Sequence, residues 1–339
     1  MRAAVQKAVN VVEVEDVPEP VAQPDQIKVK IAYAGICGTD IEILEGTFGL
    51  MKEPVFPKIE GHEASGTIVE VGGATRLGYR VGQRVALVPV APCGACRFCR
   101  SGQEQFCTQG TMYSGAFAEY GVYGEGQVFP LADEVSFEVG TLLEPLSIAM
   151  RTNELGRVGP GKSVAILGAG PIGLLTLIVA VHSGAAKILV SEPVAYKREF
   201  AGRFGATVTV DPFKEDLPEI SAQVTDGLGF DAVVDCTGKL EGARQAVHLA
   251  GPGGHVVWAA VYPVGGEVPV CAYDMYEKDL TIHGVFQSPY LLWRANSMLP
   301  VLDLRPLISD IYPLEEINQA FADQMQGKVM KALIRPTSD

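Results

Sequence analysis

Residues 163–173 read Ser-Val-Ala-Ile-Leu-Gly-Ala-Gly-Pro-Ile-Gly, an apolar run that ends in the pattern G-x-G-x-x-G. The run predicts a buried strand over residues 163–167, and the apolar stretch at 172–183 predicts a helix. Glycines between a strand and a helix allow a tight turn, let the backbone approach a pyrophosphate and let the helix pack closely. The pattern therefore predicts a βαβ dinucleotide-binding unit that begins near residue 163.

A carboxylate that follows this motif points to the nature of the dinucleotide. Glu192 stands 19 residues after Gly173, at the end of the next predicted strand. A carboxylate there accepts both ribose hydroxyls and repels a 2′-phosphate, so NAD is favoured over NADP. The alternative is a structural glycine turn with a solvated Glu192. The predicted cofactor-binding residues are Gly168, Gly170, Pro171, Ile172, Gly173, Glu192 and Lys197, although Lys197 and Arg198 complicate the choice between NAD and NADP.

The rest of the chain divides by its pattern of apolar runs. The first half carries short β-branched runs without helical patterns between them, whereas strands and helices alternate after Gly161. The segment 306–336 reads as strand, helix and strand. We therefore expect an α/β protein with a β-rich catalytic domain over 1–150 and 286–339. A doubly wound parallel sheet, the nucleotide-binding domain, is expected over 151–285.

Composition excludes several classes of partner. The chain has 339 residues, 47% of them hydrophobic, and a formal net charge of −13. An acidic surface repels nucleic acid and anionic membranes, so neither is an expected partner. The start lacks an apolar signal region, and glycines and a proline interrupt the apolar stretch 164–181. We therefore expect a cytoplasmic protein, in which seven cysteines, four of them in one short loop, favour metal binding over disulfides.

Four of these cysteines form a C-x2-C-x2-C-x7-C run. A loop with this spacing can wrap four thiolates around one tetrahedral zinc ion, which leaves no open position for a substrate. The run therefore predicts a structural zinc held by Cys93, Cys96, Cys99 and Cys107. Two further cysteines, Cys236 and Cys271, lie in apolar runs and are predicted to be buried and inert.

A second possible metal site lies earlier in the chain. Cys37 and His62, with a carboxylate, would give a mixed set of ligands of the kind that catalytic zinc uses. The pair alone decides little, because a lone cysteine is usually a small hydrophobic residue and a lone histidine is usually structural. Both interpretations stay open on the residues alone.

Five ordered motifs together resemble one family. They are Cys37-Gly38-Thr39-Asp40, Gly61-His62-Glu63, the four-cysteine run, Glu144-Pro145-Leu146-Ser147 and the glycine motif at 168–173. The order resembles that of the zinc-dependent medium-chain dehydrogenases/reductases over essentially the whole chain. Glu144-Pro145-Leu146 makes it most similar to the polyol (sorbitol-type) and threonine dehydrogenase branch.

The resemblance implies a GroES-like catalytic domain, a Rossmann domain, two zinc ions per chain and a homo-oligomer, either a dimer or a homotetramer. It implies that Cys37, His62 and Glu144 hold the catalytic zinc, with Glu63 or water as the fourth ligand. Thr39 is implied to pass the substrate proton outward. Relatives often carry a histidine three residues after this threonine, whereas this chain has Glu42, so the relay is expected to end in water or in a carboxylate.

The resemblance also implies an activity. The expected reaction is zinc-dependent, NAD-linked oxidation of a secondary alcohol, with a polyol or sugar alcohol as first choice and a ketose as product. A vicinal diol of the butanediol type and L-threonine are alternatives. Gln287 and Ser288 could bind a polyhydroxylated substrate, and Arg294 a threonine carboxylate; Tyr113 is one of several aromatic residues considered as pocket walls. A different class stays open, a catalytically silent nucleotide-binding scaffold with structural zinc only.

Overall fold

The computed structural model describes residues 1–49, 55–112 and 114–337, so Tyr113 lies outside the described residues. The chain forms two compact units. One consists of Met1–Glu144 with Leu292–Asp339, and the other of Pro145–Leu291. The chain thus leaves the first unit at residue 144 and returns to it at residue 292.

Strands and helices are numbered in chain order over the described residues. The strands are β1 Arg2–Ala8, β2 Val11–Asp16, β3 Gln26–Gly35, β4 Lys58–Ile59, β5 Glu63–Val71, β6 Arg84–Leu87, β7 Val90–Ala91, β8 Thr111–Met112, β9 Tyr120–Gly124, β10 Val128–Pro130, β11 Ser163–Leu167, β12 Lys187–Ser191, β13 Val208–Val210, β14 Phe230–Asp235, β15 Ala250–Trp258, β16 Thr281–Gly284, β17 Asp310–Pro313 and β18 Ala332–Arg335. The α-helices are α1 Gly38–Glu45, α2 Arg97–Arg100, α3 Phe137–Gly140, α4 Leu143–Leu155, α5 Pro171–His182, α6 Ala195–Arg203, α7 Leu217–Thr225, α8 Leu240–Leu249, α9 Ala272–Lys278, α10 Leu292–Met298 and α11 Ile317–Met325.

The first unit is built around one large, mainly antiparallel sheet. Its strand order is β10-β6-β5-β3-β18-β17, and β9 also pairs with β3. Alternate residues of β3 face the core, since Ile27, Val29 and Ile31 are fully buried. The pairing of β3 with β5 brings Gly35 opposite Glu63, and the pairing of β3 with β18 brings Gly35 opposite Leu333. The ends of three strands that are distant in sequence therefore meet beside Gly35.

The second unit contains a parallel sheet of strand order β13-β12-β11-β14-β15-β16. Numbered within the unit this order is 3-2-1-4-5-6, the doubly wound arrangement that binds dinucleotides at its point of reversal. The central strands are continuous apolar runs because helices cover both faces of such a sheet. Val164, Ile166, Val233 and Val234 are fully buried. The predicted GroES-like and Rossmann fold class is confirmed.

The predicted bounds of strands and helices agree best with the observed ones where an apolar run is continuous. The predicted strand over 163–167 is β11 itself, and the predicted helix over 172–183 is α5, which begins one residue earlier at Pro171. The short helix α1 was not predicted. The interpretation of Cys271 as a buried strand residue is wrong, because Cys271 is exposed and directly precedes α9.

Within the described parts of the chain, no helix combines the length and the apolar character that crossing a membrane requires.

Candidate functional site

The first cluster forms where β3 ends and α1 begins. Cys37 directly precedes α1, and its N–H donates to Asp40 Oδ2 at 2.8 Å. The other oxygen of that carboxylate, Oδ1, lies 3.1 Å from Nδ1 of His62. The Asp40 side chain is fully buried. A proton on Nδ1 directed at Asp40 leaves Nε2 as the metal-binding nitrogen, an arrangement common for metal-binding histidines.

The structure brings three of the predicted residues together. One ligand atom each from Cys37, His62 and Glu63 lies within 4.8 Å of the other two. Burial opposes a charged His62 ring, but Asp40 and Cys37 outweigh it and raise the pKa of His62 well above its usual range. The cluster therefore favours positive charge, in the imidazole or in a bound cation.

Sequence reasoning missed Lys331, which forms an ion pair with Glu63. Only 2% of the Lys331 side chain and 1% of the Glu63 side chain are exposed. Lys331 Nζ also donates to the carbonyl of Ile36 at 2.9 Å. Burial opposes the ammonium, but Glu63, Cys37 and Asp40 outweigh it and raise the pKa of Lys331. A single lysine in the apolar run 329–334 was the signal that could have indicated a buried ionic partner.

Glycine at position 35 is required by this ion pair. A Cβ atom built there would lie 2.5 Å from Glu63 Oε2 and 3.0 Å from Lys331 Cε. Any side chain would therefore displace the carboxylate or the ammonium. The absence of a side chain at Gly35 thus allows the Glu63 carboxylate and the Lys331 ammonium to lie against the end of β3.

Glu144 lies in the first turn of α4, outside the set of mutually close ligand atoms. Its pKa is raised to about 7, chiefly by burial; Glu63 and Asp40 also raise it, while His62 and Lys331 lower it. Glu144 is therefore close enough to the cluster to interact with these charges. The structure thus places Cys37, Asp40 and Glu63 around His62, pairs Lys331 with Glu63, and leaves Glu144 to act on the cluster through its charge.

Thr39 and Glu42 share one side of α1, since residues three apart in a helix are neighbours. Thr39 lies in the first turn and is half-buried. Glu42 Oε2 is buried, and among the described residues it has no hydrogen-bond partner. Burial, followed by the charge of Glu45, raises the pKa of Glu42.

The donor set of the cluster fits zinc. A thiolate, an imidazole nitrogen and carboxylate oxygens are the three ligand types that zinc accepts in proteins. The excess of acidic groups over Lys331 leaves negative charge that a divalent cation would neutralise. The support of His62 by Asp40 also matches the outer hydrogen bonds that orient metal ligands.

The second cluster contains the four thiols of the cysteine run. Their sulfur atoms all lie within 4.8 Å of one another. Cys96 Sγ is 3.6 Å from Cys99 Sγ and 3.8 Å from Cys107 Sγ. These separations exclude disulfide bonds and match the edge of about 3.8 Å that a tetrahedron with zinc–sulfur bonds of about 2.3 Å would have. The loop is thus shaped for a tetrahedral ion.

Backbone N–H groups point at these sulfurs. Cys107 Sγ accepts from the N–H of Cys93 at 3.3 Å, and Cys93 Sγ accepts from the N–H of Cys96 at 3.3 Å. A backbone N–H near Cys99 is the largest of the influences that lower the pKa of Cys96, which falls to about 6. Thiolate is the form that binds metal. The loop therefore favours the metal-binding form at Cys96, whereas burial raises the pKa of Cys99 to about 12.

The predicted nucleotide-binding glycines lie between β11 and α5. Gly168 has a φ of +93°, and a Cβ on Gly173 would lie 1.9 Å from the Gly168 carbonyl oxygen. A Cβ on Gly170 would meet nothing within 4 Å. The first and third glycines are thus required by the turn and its packing, whereas the second leaves the backbone open. Pro171 and Ile172 form the first turn of α5, where unpaired N–H groups favour anions.

Glu192 lies next to this turn, at the end of β12. Its Oε2 accepts from the N–H of Ala169 at 2.8 Å, and its Oε1 accepts from the N–H of Val194 at 2.9 Å. Its carboxylate is therefore buried between two loops rather than solvated. Lys197 follows on α6, where its ammonium lies 6.0 Å from the centre of the Tyr196 ring.

The residues predicted to contact the substrate differ in their burial. Ser288 is buried and its hydroxyl lies 2.6 Å from that of Ser147. Gln287 is half-buried with a left-handed φ of +57°. Arg294 is exposed on α10.

Comparison with known proteins agrees with this geometry. Residues 23–133 match the family described as alcohol dehydrogenase GroES-like domain, and residues 171–299 match that described as zinc-binding dehydrogenase. A probable D-xylulose reductase A of Neosartorya fischeri is 32% identical, covering 98% of this chain and 96% of its own length. An L-threonine 3-dehydrogenase of Pyrococcus abyssi is 34% identical, covering 94% and 92%.

A solved structure adds a cofactor to the comparison. The structure of a Sinorhizobium meliloti protein bound to NADP superposes with a TM-score of 0.91, at 32% identity and with 99% of both chains covered. Matches to both family models and to relatives over nearly the full length lead to one conclusion. The chain belongs to the zinc-dependent alcohol dehydrogenases of the medium-chain dehydrogenase/reductase family.

Proposed function

We propose that this oxidoreductase catalyses the zinc-dependent, NAD-linked oxidation of a secondary alcohol, and that the substrate is a polyol or sugar alcohol oxidised to a ketose. The observation that carries the proposal is the convergence of Cys37, His62 and Glu63 within 4.8 Å of one another, with Asp40 behind the imidazole. A scaffold without chemistry would have no need for this buried, acid-rich cluster. Similarity to a xylulose reductase supports the polyol class.

The proposed zinc ligands are Cys37, His62 and Glu144, with water or Glu63 in the fourth position. Lys331 neutralises Glu63 and thereby favours water there, because one carboxylate oxygen is already engaged by the ammonium. When bound, zinc would supply Lewis acidity toward the substrate hydroxyl, and NAD would accept the hydride. Asp40 would fix the ring of His62 so that Nε2 faces the metal.

Thr39 is proposed to accept the hydroxyl proton at its Oγ and pass it outward. Glu42, one turn along α1, or water would receive it. The unpartnered, buried Oε2 of Glu42 among the described residues supports a carboxylate at the outer end of this relay.

Catalysis and cofactor binding are proposed to belong to different units. The first unit carries both clusters and would be the catalytic domain, with Cys93, Cys96, Cys99 and Cys107 holding a second, structural zinc. The second unit would bind NAD through the glycine turn and Glu192. The family also supports a homo-oligomer, either a dimer or a tetramer, which sedimentation would test.

A substrate panel tests the proposal. Zinc-loaded protein would be incubated with sorbitol, xylitol, 2,3-butanediol or L-threonine and either NAD or NADP, and the reduced nicotinamide followed by absorbance. We expect reduction of NAD with the polyols and its loss in Cys37→Ser. Cys271→Ser is the matched control, because Cys271 is exposed and belongs to neither cluster.

Other outcomes identify the alternatives. Preference for butanediol or for L-threonine would replace the polyol with a diol or an amino alcohol, and the 34% identical threonine dehydrogenase gives the latter its support. Nucleotide binding without any alcohol oxidation, with zinc retained only by the four thiols, would identify a silent scaffold. Full activity in protein verified to be free of metal would refute the role of zinc.

A further inference from the structure

A compact group of charges lies beside Glu192, at the ends of β12 and β13. The guanidinium of Arg198 on α6 donates through Nη1 to the backbone carbonyl of Glu192 at 2.6 Å. The same nitrogen lies 3.3 Å from Asp211 Oδ2. Lys214 Nζ is also 3.3 Å from that oxygen. Arg198 is therefore held next to the residue predicted to bind the adenosine ribose.

Asp211 is the buried member of this group. Its side chain is 5% exposed, compared with 19% for Arg198 and 78% for Lys214. Oδ1 accepts from the N–H of Phe213 at 3.1 Å, and the N–H of Asp211 donates to Glu215 Oε2 at 2.7 Å. Arg198 thus faces a fixed carboxylate that cannot turn away into solvent.

The surroundings of Arg198 decide which nucleotide the site favours. Proteins that bind NADP use an arginine close to the ribose to accommodate the 2′-phosphate, whereas a carboxylate there favours the 2′-hydroxyl of NAD. Arg198 is well placed for the first role, since a guanidinium has five donors and only part of them are engaged here. Its charge is, however, opposed by Asp211, which also pairs with the largely exposed Lys214, and Glu192 adds further negative charge.

We propose that Asp211 is a positioning residue for cofactor choice, which neutralises Arg198 and so prevents the site from accepting a 2′-phosphate. The inference rests on the proposed NAD site and deepens it. NAD preference would then depend on two carboxylates, Glu192 at the ribose and Asp211 behind the arginine. Without Asp211, the free donors of Arg198 would form charge-assisted hydrogen bonds to phosphate oxygens.

Calorimetric binding of two nucleotides to the full, zinc-loaded chain tests this without any alcohol substrate. The probes are 5′-AMP and adenosine 2′,5′-bisphosphate, which differ by the 2′-phosphate alone. The variants are Asp211→Asn and Asp211→Ser, the second of which keeps an oxygen that can accept from the N–H of Phe213. Asp231→Asn is the matched control, because Asp231 pairs with Lys162 and Ser163 at the opposite, amino-terminal end of the parallel strands.

We expect the ratio of bisphosphate to AMP affinity to rise by about tenfold in the Asp211 variants, the value of one charge-assisted hydrogen bond. Asp231→Asn should leave the ratio unchanged. Adding Arg198→Met to Asp211→Asn should abolish the gain, which identifies Arg198 as the group that binds the phosphate. Thermal unfolding would establish that each variant is folded at the temperature of measurement.

Three results would overturn the inference. They are an unchanged ratio in both folded Asp211 variants, an equal gain in Asp231→Asn, and a gain that survives loss of Arg198. The wild-type chain could bind AMP and NADH while the Asp211 substitutions leave the ratio of bisphosphate to AMP affinity unchanged. In that case only the proposed role of Asp211 would be refuted. Absence of AMP and NADH binding in the wild-type chain would overturn both this inference and the proposed NAD linkage.

Discussion

Asp40 connects the two proposed metal ligands of the first cluster. It accepts the N–H of Cys37 and faces Nδ1 of His62, and it is almost completely buried. Asp40→Asn would replace an acceptor with an amide that cannot satisfy both groups in the same way. We expect zinc affinity at this cluster to fall about 10- to 100-fold, as for other residues that orient metal ligands. Competition with a chelator would measure it.

Glu45→Gln provides the control for Asp40→Asn, because Glu45 lies exposed on the same helix. It removes the same charge at a distance from the cluster. Equal zinc affinity in wild-type protein and Asp40→Asn would show that Asp40 does not orient His62.

The buried ion pair of Lys331 leads to a prediction about the free energy of unfolding. Lys331→Met would leave Glu63 buried without its counter-ion, which costs about 3 to 5 kcal/mol when one partner of a buried pair is lost. Lys328→Met should cost less than about 1 kcal/mol, because Lys328 is 59% exposed in its pair with Asp323. Urea unfolding of metal-free protein would compare them. Equal midpoints for the two variants would contradict a structural role for the buried pair.

At this scale the sequence predicted the chemically distinctive residues and missed their partners. Cys37 and His62 were predicted as a pair from the family resemblance, because a lone cysteine and a lone histidine do not by themselves indicate a metal site. The partnership of Lys331 with Glu63 depends on β3 pairing with both β5 and β18. The pairing of β3 with β18, which lies hundreds of residues later, leaves no local pattern in the sequence.

Among the elements, the turn between β11 and α5 allows two glycine substitutions to be compared. A methyl group on Gly173 would collide with the Gly168 carbonyl, whereas one on Gly170 would meet no atom of the chain within 4 Å. We expect Gly173→Ala to lower the free energy of unfolding by about 1 to 3 kcal/mol. Gly170→Ala should stay near wild-type stability but bind NADH about tenfold more weakly, because the added methyl group blocks approach to the backbone.

Chemical unfolding and NADH fluorescence together would separate the two effects. Wild-type NADH affinity in Gly170→Ala would contradict the predicted approach of the pyrophosphate to this turn.

The elements differ in how far the sequence could predict them. β11 and α5 were predicted closely because a continuous apolar run has few other interpretations. Helix α1 was missed because it is short and begins with Gly38, Thr39 and Asp40, which are poor helix formers. Cys271 was misplaced because an apolar run alone does not distinguish a strand from a loop that precedes a helix.

For the molecule as a whole, the two clusters predict two separable metal sites. We expect two zinc ions per chain in the wild-type protein, one in Cys37→Ser and one in Cys107→Ser, with Cys271→Ser unchanged. Loss of the four-thiolate site should also lower the melting temperature, because structural zinc contributes directly to folding. Elemental analysis of the purified variants would count the ions.

A loss of both ions in either single variant would show that the sites are coupled rather than independent. One ion in the wild-type protein, lost only in Cys107→Ser, would instead leave the first cluster without a metal.

The position of Lys331 also has a consequence for biosynthesis. A ribosome makes Glu63 268 residues before Lys331. The nascent first unit therefore carries an acid without its counter-ion until translation has passed residue 331. The residues of the second unit are contiguous in the chain. This unit can therefore fold before β18 of the first unit has been synthesised.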